Sequence, residues 1–111
     1  MKTLILNKYG KGYRVTLNLD HYIHYRNLYV GFVAHEGNHS VPYGDLTINL
    51  GVPCKANCAY IDVNSNGDEI IEWLCKNKLG SPTGHMASND FCVYPEFEFN
   101  MKALMKHANR R

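Results

Sequence analysis

The sequence lacks a large excess of charge of either sign. Twelve Lys and Arg residues against ten Asp and Glu leave a formal net charge of +2. Part of that excess lies in the tail that holds Lys106, His107, Arg110 and Arg111. Binding to phosphates needs a concentrated basic face, so a nearly neutral body makes duplex DNA an unlikely main partner.

Long hydrophobic runs are also missing. The segment 1–7 contains an apolar stretch of only three residues, Leu4 to Leu6, which is too short for a signal-peptide core or a membrane span. We therefore expect a cytoplasmic protein with no membrane partner. In a reducing compartment the four cysteines are expected to be thiols and not disulfides.

Internal repeats, low-complexity tracts and linkers are absent from the sequence. A chain of 111 residues has the usual size of one domain. We therefore predict a single domain that spans residues 1–111.

Alternation of apolar and polar residues dominates the N-terminal half, which is typical of strands with one face on a core. Tyr13, Val15, Leu17 and Leu19 show this period most clearly. The pattern predicts strands at 3–7, 13–19, 28–34, 46–50, 59–63 and 91–99, with a turn at 35–40 and a loop at 81–90.

The period changes after residue 64. Capping residues are followed by Ile70, Ile71, Trp73 and Leu74 at helical spacing, which predicts an amphipathic helix at about residues 68–78. A short C-terminal helix is predicted at 101–107. The expected fold class is α+β, an antiparallel β-sheet meander with the amphipathic helix packed on it.

The run His35-Glu36-Gly37-Asn38-His39 matches the H-E-x-x-H pattern of zinc proteases. That chemistry needs two imidazoles one helical turn apart, whereas this run follows a strand pattern and contains Gly-Asn. A hairpin turn fits the residues better than a protease site.

Cysteines offer a second candidate site. Cys54 and Cys58 have the spacing of half a structural zinc site, but no second close pair completes it. Cys92 as a nucleophile would need a neighbouring base and a lowered pKa. We therefore expect no metal and no cofactor, and no catalytic residue is assigned.

The predicted loop at 81–90 is the first candidate binding site. Thr83, Gly84 and His85 can present backbone N–H groups and a hydroxyl to a ligand, and Ser88 and Asn89 add hydrogen-bonding groups. The loop lacks the Gly-Lys-Ser/Thr ending of a P-loop.

Aromatic residues provide the second candidate binding site. Tyr9, Tyr13, Tyr22, Tyr25 and Tyr29 cluster in sequence with His21, His24 and Arg26. Such a patch can stack single-stranded bases or form a protein interface, and Tyr also simply favours strands. Tyr25 and Arg26 represent this patch among the expected binding residues.

Several segments resemble one family of short uncharacterised proteins. They are Pro42-Tyr43, Leu46–Leu50, Ala59–Asn64, Leu79-Gly80-x-Pro82-Thr83-Gly84 and Phe91-Cys92-x-Tyr94-Pro95-x-Phe97-x-Phe99. In order and spacing they resemble the domain-of-unknown-function family numbered about 4313.

The resemblance implies proteins of plasmids, phages and conjugative elements of gut bacteria, with no assigned enzymatic activity. The family patterns do not feature His35, His39, Cys54 or Cys58, which weakens the case for zinc. They do feature Thr83-Gly84 and the strand that contains Tyr94.

We therefore expect a non-enzymatic accessory that binds a host protein or a small signalling molecule and interferes with a host defence system, as anti-CRISPR proteins do. The alternatives are a single-strand-binding accessory of element transfer and a small enzyme that uses a loop His or Cys. The expected binding residues are Thr83, Gly84, His85, Ser88, Asn89, Tyr94, Tyr25 and Arg26.

Overall fold

Two antiparallel sheets form the body of the protein. The computed structural model describes residues 2–109. In chain order its elements are β1 (Leu4–Lys8), β2 (Lys11–His21), β3 (Leu28–Glu36), β4 (His39–Asp45), β5 (Thr47–Ile48), β6 (Cys58–Ile61), α1 (Val63–Asn66), α2 (Glu69–Lys76), β7 (Gly80–Asn89), β8 (Cys92–Phe99) and α3 (Met101–Lys106). This mostly antiparallel architecture with three short helices in the described range is compatible with the expected α+β class.

The first sheet is a meander with the strand order β1-β2-β3-β4. Tyr9 and Gly10 connect β1 to β2, and both have positive φ (53° and 73°), as the tight turns of two-residue hairpins require. Gly37 and Asn38 connect β3 to β4 between the paired residues Glu36 and His39.

The second sheet has the strand order β5-β6-β8-β7. The chain crosses from β6 through α1 and α2 to β7, which lies at the edge of this sheet. The next strand, β8, then returns between β6 and β7. The two sheets together differ from the single meander that the alternation pattern predicted.

Side chains from both sheets and from the helices share one hydrophobic core. The helix α2 contributes Ile70 and Leu74, and α3 contributes Leu104. The fully or nearly fully buried residues of the sheets include Val15, Leu17, Val30, Phe32, Ile61, Phe97 and Phe99.

The C-terminal segment continues the first sheet. The backbone N–H of Leu17 donates to the carbonyl of His107 at 2.8 Å, and the N–H of Asn109 donates to the carbonyl of Leu17 at 2.8 Å. This segment therefore lies alongside β2 beyond the end of β1, where β2 would otherwise have an open edge.

The segment 81–90, predicted to be a loop, is mostly a β-strand. Residues Gly80–Asn89 form the strand β7, because pairing with β8 satisfies the backbone of a segment whose Pro, Gly and Ser content favours a loop. The predicted turn at 35–40 narrows to Gly37 and Asn38, and β4 follows it. The predicted strand 46–50 is reduced to Thr47–Ile48.

Candidate functional site

A wide bulge interrupts the edge strand β7. Pro82 pairs with Phe97 and Met86 pairs with Pro95, so residues 83–85 of β7 lie opposite Glu96 alone. Three residues against one push the strand out of the regular ladder. The central residue Gly84 has a φ of +89° and open space around its Cα. The bulge is therefore accessible to a partner.

Hydrogen bonds hold the bulge in place. The Thr83 hydroxyl donates to Oε1 of Glu96 at 2.8 Å and accepts from the backbone N–H of His85 at 3.2 Å. The His85 ring lies 6.1 Å from the ring of Tyr60, measured between centroids. Thr83 and His85 thus combine exposure with a defined position.

The outer half of β7 leads to a hairpin tip. Ser88 and Asn89 are exposed and pair with Val93 and Cys92 of β8. Tyr94 pairs with Ala87 but is only 4% exposed, so its side chain offers little surface to a partner. The structure therefore brings Thr83, Gly84, His85, Ser88 and Asn89 together on one strand, whereas Tyr94 is buried on the neighbouring strand.

Three apolar side chains near this tip were not among the residues expected to bind. Phe91 in the turn is fully exposed, and Met86 and Val93 are 51% and 54% exposed. Register places Met86 and Val93 on the same face of the hairpin. The Asn-Asp pair before Phe91 is a turn signal that could have located this tip in the sequence.

Tyr25 and Arg26 lie apart from β7, in the connection between β2 and β3 of the other sheet. Both are exposed and have positive φ (60° and 51°), which is uncommon for residues with large side chains. The neighbouring Asn27 is buried and anchors this connection, because its side chain donates to the carbonyl of Val52 and accepts from the N–H of Cys54.

The aromatic patch expected from the sequence is split in two. Tyr9 and Tyr13 lie at the β1–β2 turn, where the Tyr13 ring packs 5.0 Å from Tyr43. Tyr22 and Tyr29 pack edge to face at 5.6 Å near the opposite end of β2. An eleven-residue strand separates the two groups by roughly 30 Å.

An acidic group occupies the second of these clusters. The Tyr29 hydroxyl donates to Oδ1 of Asp45 at 2.6 Å. Burial, followed by the interactions with Asp45, raises the pKa of Tyr29 well above its usual value. The Tyr22 hydroxyl shares a 3.0 Å hydrogen bond with Thr47. These tyrosines therefore have intramolecular partners.

The histidine motif lies in a β-hairpin. His35 lies near the end of β3, and His39 is the first residue of β4. The helix that the protease mechanism needs is therefore not formed, in agreement with the predicted turn. The His35 ring nitrogen Nε2 lies 2.7 Å from the Thr16 hydroxyl, which donates to Oδ1 of Asn109 at 2.6 Å. This network ties His35 to the interior.

Two of the cysteines, Cys54 and Cys58, occupy poor positions for nucleophiles. Burial, with smaller contributions from Glu96 and Cys58, raises the pKa of Cys54 to about 11. Burial also raises the pKa of Cys58. Both thiols therefore stay protonated near neutral pH, whereas a nucleophile needs the thiolate. Between residues 2 and 109, no group of three His, Cys, Asp or Glu side chains is placed to hold a metal ion.

None of the helices between residues 2 and 109 has the length and apolar character that crossing a bilayer demands. No curated protein and no solved structure matches the chain. The sequence model of a family described as Domain of unknown function (DUF4313) matches residues 16–111. Because the match covers most of the chain and includes β7, β8 and the bulge between them, the protein belongs to this family.

Proposed function

We propose that this protein is a non-enzymatic accessory of a mobile genetic element or phage that acts in the cytoplasm by binding a host protein. The bound protein belongs to a host defence system, and binding inhibits that system. The β7–β8 hairpin is the binding element.

The exposed apolar tip of this hairpin is the observation that carries the proposal. Phe91, Met86 and Val93 leave large apolar surfaces in water, which folding alone would disfavour. Exposed aromatic and Met side chains are enriched in protein interfaces. Their position beside the polar residues Ser88 and Asn89 supports an interface with an apolar centre and a polar rim.

We infer that α2 is the amphipathic helix expected from the sequence. Ile70 and Leu74 are buried, and its first turn carries Glu69 and Glu72 towards solvent. Phe91 is fully exposed, so α2 does not cover the tip of the hairpin.

Three properties favour a protein partner over the alternatives. Gly84 lies in open space, so the bulge does not enclose a small signalling molecule. The raised pKa of Cys54 disfavours an enzyme that uses this thiol. The division of the tyrosines into two clusters weakens the case for one continuous path for single-stranded nucleic acid.

A phage-plating assay tests the proposal. Cells with an active CRISPR–Cas defence express the protein or a variant, and the plating efficiency of a targeted phage is measured. We expect the unchanged protein to raise plating and the Phe91→Ser variant to lose this effect. Thr83→Ala combined with His85→Ala should weaken it, because the Thr83 hydroxyl holds the bulge that supports the hairpin and the exposed His85 ring is an expected contact of the partner.

Tyr25→Ala combined with Arg26→Ala is the matched control, because these residues are also exposed but lie in the β2–β3 connection of the other sheet. Circular dichroism checks that each variant is folded. If the control pair loses the effect and Phe91→Ser keeps it, the binding site belongs to the β2–β3 connection instead.

A further inference from the structure

The four edges of the two sheets are not equally protected against pairing with another chain. On β1, the carbonyl of Ile5 already accepts a 2.7 Å hydrogen bond from Nε1 of Trp73. The edge strand β4 contains Pro42 and has a register irregularity against β3. The edge strand β5 has only two residues. Bulges, prolines and short length are the usual devices that prevent edge-to-edge association.

On β7 such devices occupy only the inner half. Pro82 and the bulge at 83–85 protect that half, whereas the outer segment Met86–Asn89 contains no Pro, no bulge and no charged side chain. We call this segment the open edge. It is also next to the exposed Phe91.

The hairpin register identifies the backbone groups that the open edge presents. Asn89 and Cys92 flank the two-residue turn, and such a flanking pair exchanges both of its hydrogen bonds. Bonding therefore alternates along β7: Asn89 and Ala87 bond to β8, and Ser88 and Met86 direct their N–H and C=O groups away from the sheet. A strand laid beside the open edge would meet these groups.

Acidic side chains lie near the open edge. Asp90 is in the adjoining turn, Glu96 is on the paired strand β8, and Asp68 lines a surface depression together with Cys92 and Val93. Charge complementarity at this edge therefore favours a basic partner.

The two faces of the hairpin differ beside the open edge. Met86, Ser88 and Val93 lie on one face, where the exposed apolar surface is found. Glu96 lies on the other face with Tyr94, and Asp62 is close enough to influence the Tyr94 hydroxyl. A strand added here would place successive side chains alternately on an apolar face and on an acidic face.

We propose that the partner's binding segment is an extended strand with alternating apolar and basic residues, which pairs with the open edge Met86–Asn89 and extends the second sheet. This rests on the protein-binding function proposed above and specifies its mode. Backbone hydrogen bonds to Met86 and Ser88 hold the segment, and the two faces select its side chains.

Synthetic peptides test this mode directly. The probe is an N-acetylated, C-amidated peptide of about eight residues, a usual strand length, that alternates Val and Lys. A peptide of the same length that alternates Val and Glu is its control. We expect the Val–Lys peptide to bind about tenfold or more tightly than the Val–Glu peptide, and to slow the hydrogen exchange of the Met86 and Ser88 amides in NMR spectra.

A pair of variants isolates the backbone contact. Ser88→Pro removes the outward N–H of the open edge, and Pro is tolerated where an edge N–H faces solvent. Ser88→Ala removes only the hydroxyl and keeps that N–H. Binding of the Val–Lys peptide should fall about tenfold or more in Ser88→Pro and stay within about twofold in Ser88→Ala.

The outcomes separate strand addition from the broader proposal. Equal binding by Ser88→Pro and Ser88→Ala, equal binding of the two peptides, or no binding of either would overturn strand addition. Sedimentation that reveals a dimer of the chain, abolished by Ser88→Pro, would overturn it in favour of a second copy at the open edge. In each of these cases, loss of the plating effect in Phe91→Ser would still support the protein-binding function.

Discussion

At the scale of single residues, two glycines of β7 differ in what surrounds them. A Cβ on Gly80 would lie 2.8 Å from the ring of Phe97 and 2.9 Å from Cα of Phe99, and the φ of Gly80 is +151°. Gly84 has a φ of +89° but no atom near such a Cβ. Close approach therefore requires glycine at position 80, whereas only backbone conformation restricts position 84.

Replacement of Gly80 by Ala should lower the free energy of unfolding by about 3 kcal/mol or more, because steric overlap adds to backbone strain. Gly84→Ala should cost only about 1–2 kcal/mol, the strain alone. Urea unfolding followed by circular dichroism measures both changes. Equal losses in the two variants would contradict the close packing assigned to Gly80.

Cys54 provides a prediction about reactivity. Since burial raises the pKa of its thiol from 9.0 to about 11, less thiolate is present near neutral pH, and the thiolate is the form that reacts. At about pH 8, iodoacetamide should modify Cys54 more slowly than the exposed Cys75. Peptide mass spectrometry after timed alkylation measures the two rates.

The same shift has a defined sign for stability. The folded state favours the neutral thiol, so the contribution of Cys54 is present below the ordinary pKa of 9.0 and is lost as the pH rises towards 11. In the alkylation experiment, unfolding in urea should remove the difference in modification rate between Cys54 and Cys75. Rates that are already equal in the folded protein would show that Cys54 is not shielded.

At the scale of elements, Trp73 joins α2 to the first sheet. Its indole N–H donates to the carbonyl of Ile5 at 2.7 Å, and its ring packs edge to face on Phe32 with the centroids 5.9 Å apart. Trp73 is partly buried, in contrast to Ile70 and Leu74 on the same helix. It therefore both covers the core and closes the edge of β1.

Two substitutions separate these contributions. Trp73→Phe keeps an aromatic ring but leaves the Ile5 carbonyl without its donor, so the free energy of unfolding should fall by about 1 kcal/mol. Trp73→Ala also removes the ring and should cost about 3 kcal/mol or more. Chemical unfolding gives both values. A Trp73→Ala protein as stable as the parent would show that the Trp73 ring does not join α2 to the first sheet.

At the scale of the whole molecule, residues far apart in sequence close the first sheet. The Thr16 hydroxyl is completely buried between Asn109 and His35, and the backbone of Leu17 makes two hydrogen bonds to the segment 107–109. The C-terminal segment thus satisfies both a buried side chain and a part of β2 that β1 does not reach.

A double-mutant cycle measures this closure. Asn109→Ala should lower the free energy of unfolding by about 1–2 kcal/mol, because the buried Thr16 hydroxyl loses its acceptor. In a Thr16→Val background, the same substitution should cost clearly less, since no hydroxyl remains to be satisfied. Equal costs in the two backgrounds would show that the Thr16–Asn109 hydrogen bond does not link the C-terminal segment to the sheet.

Local sequence patterns predicted only one strand of the β7–β8 hairpin. The aromatic residues of β8 indicated a strand, but the Ser, Pro, Thr and Gly residues of β7 have low strand propensity and predicted a loop. The pairing partner on β8 decides the conformation there, and a partner is a property of the fold. The residues expected to bind included Thr83 and His85 but not Phe91, although the Asn-Asp pair before Phe91 is a local turn signal.

The sequence alone determined the features that depend on neighbouring residues. The period of two in Tyr13–Leu19, the Gly-Asn turn in the histidine motif and the mostly antiparallel character follow from local sterics and from the alternation of side chains. The tertiary structure alone decided the division into two sheets, the separation of the tyrosines and the position of β7 at an edge. These depend on which strands meet across long stretches of chain, and local propensity carries no information about such contacts.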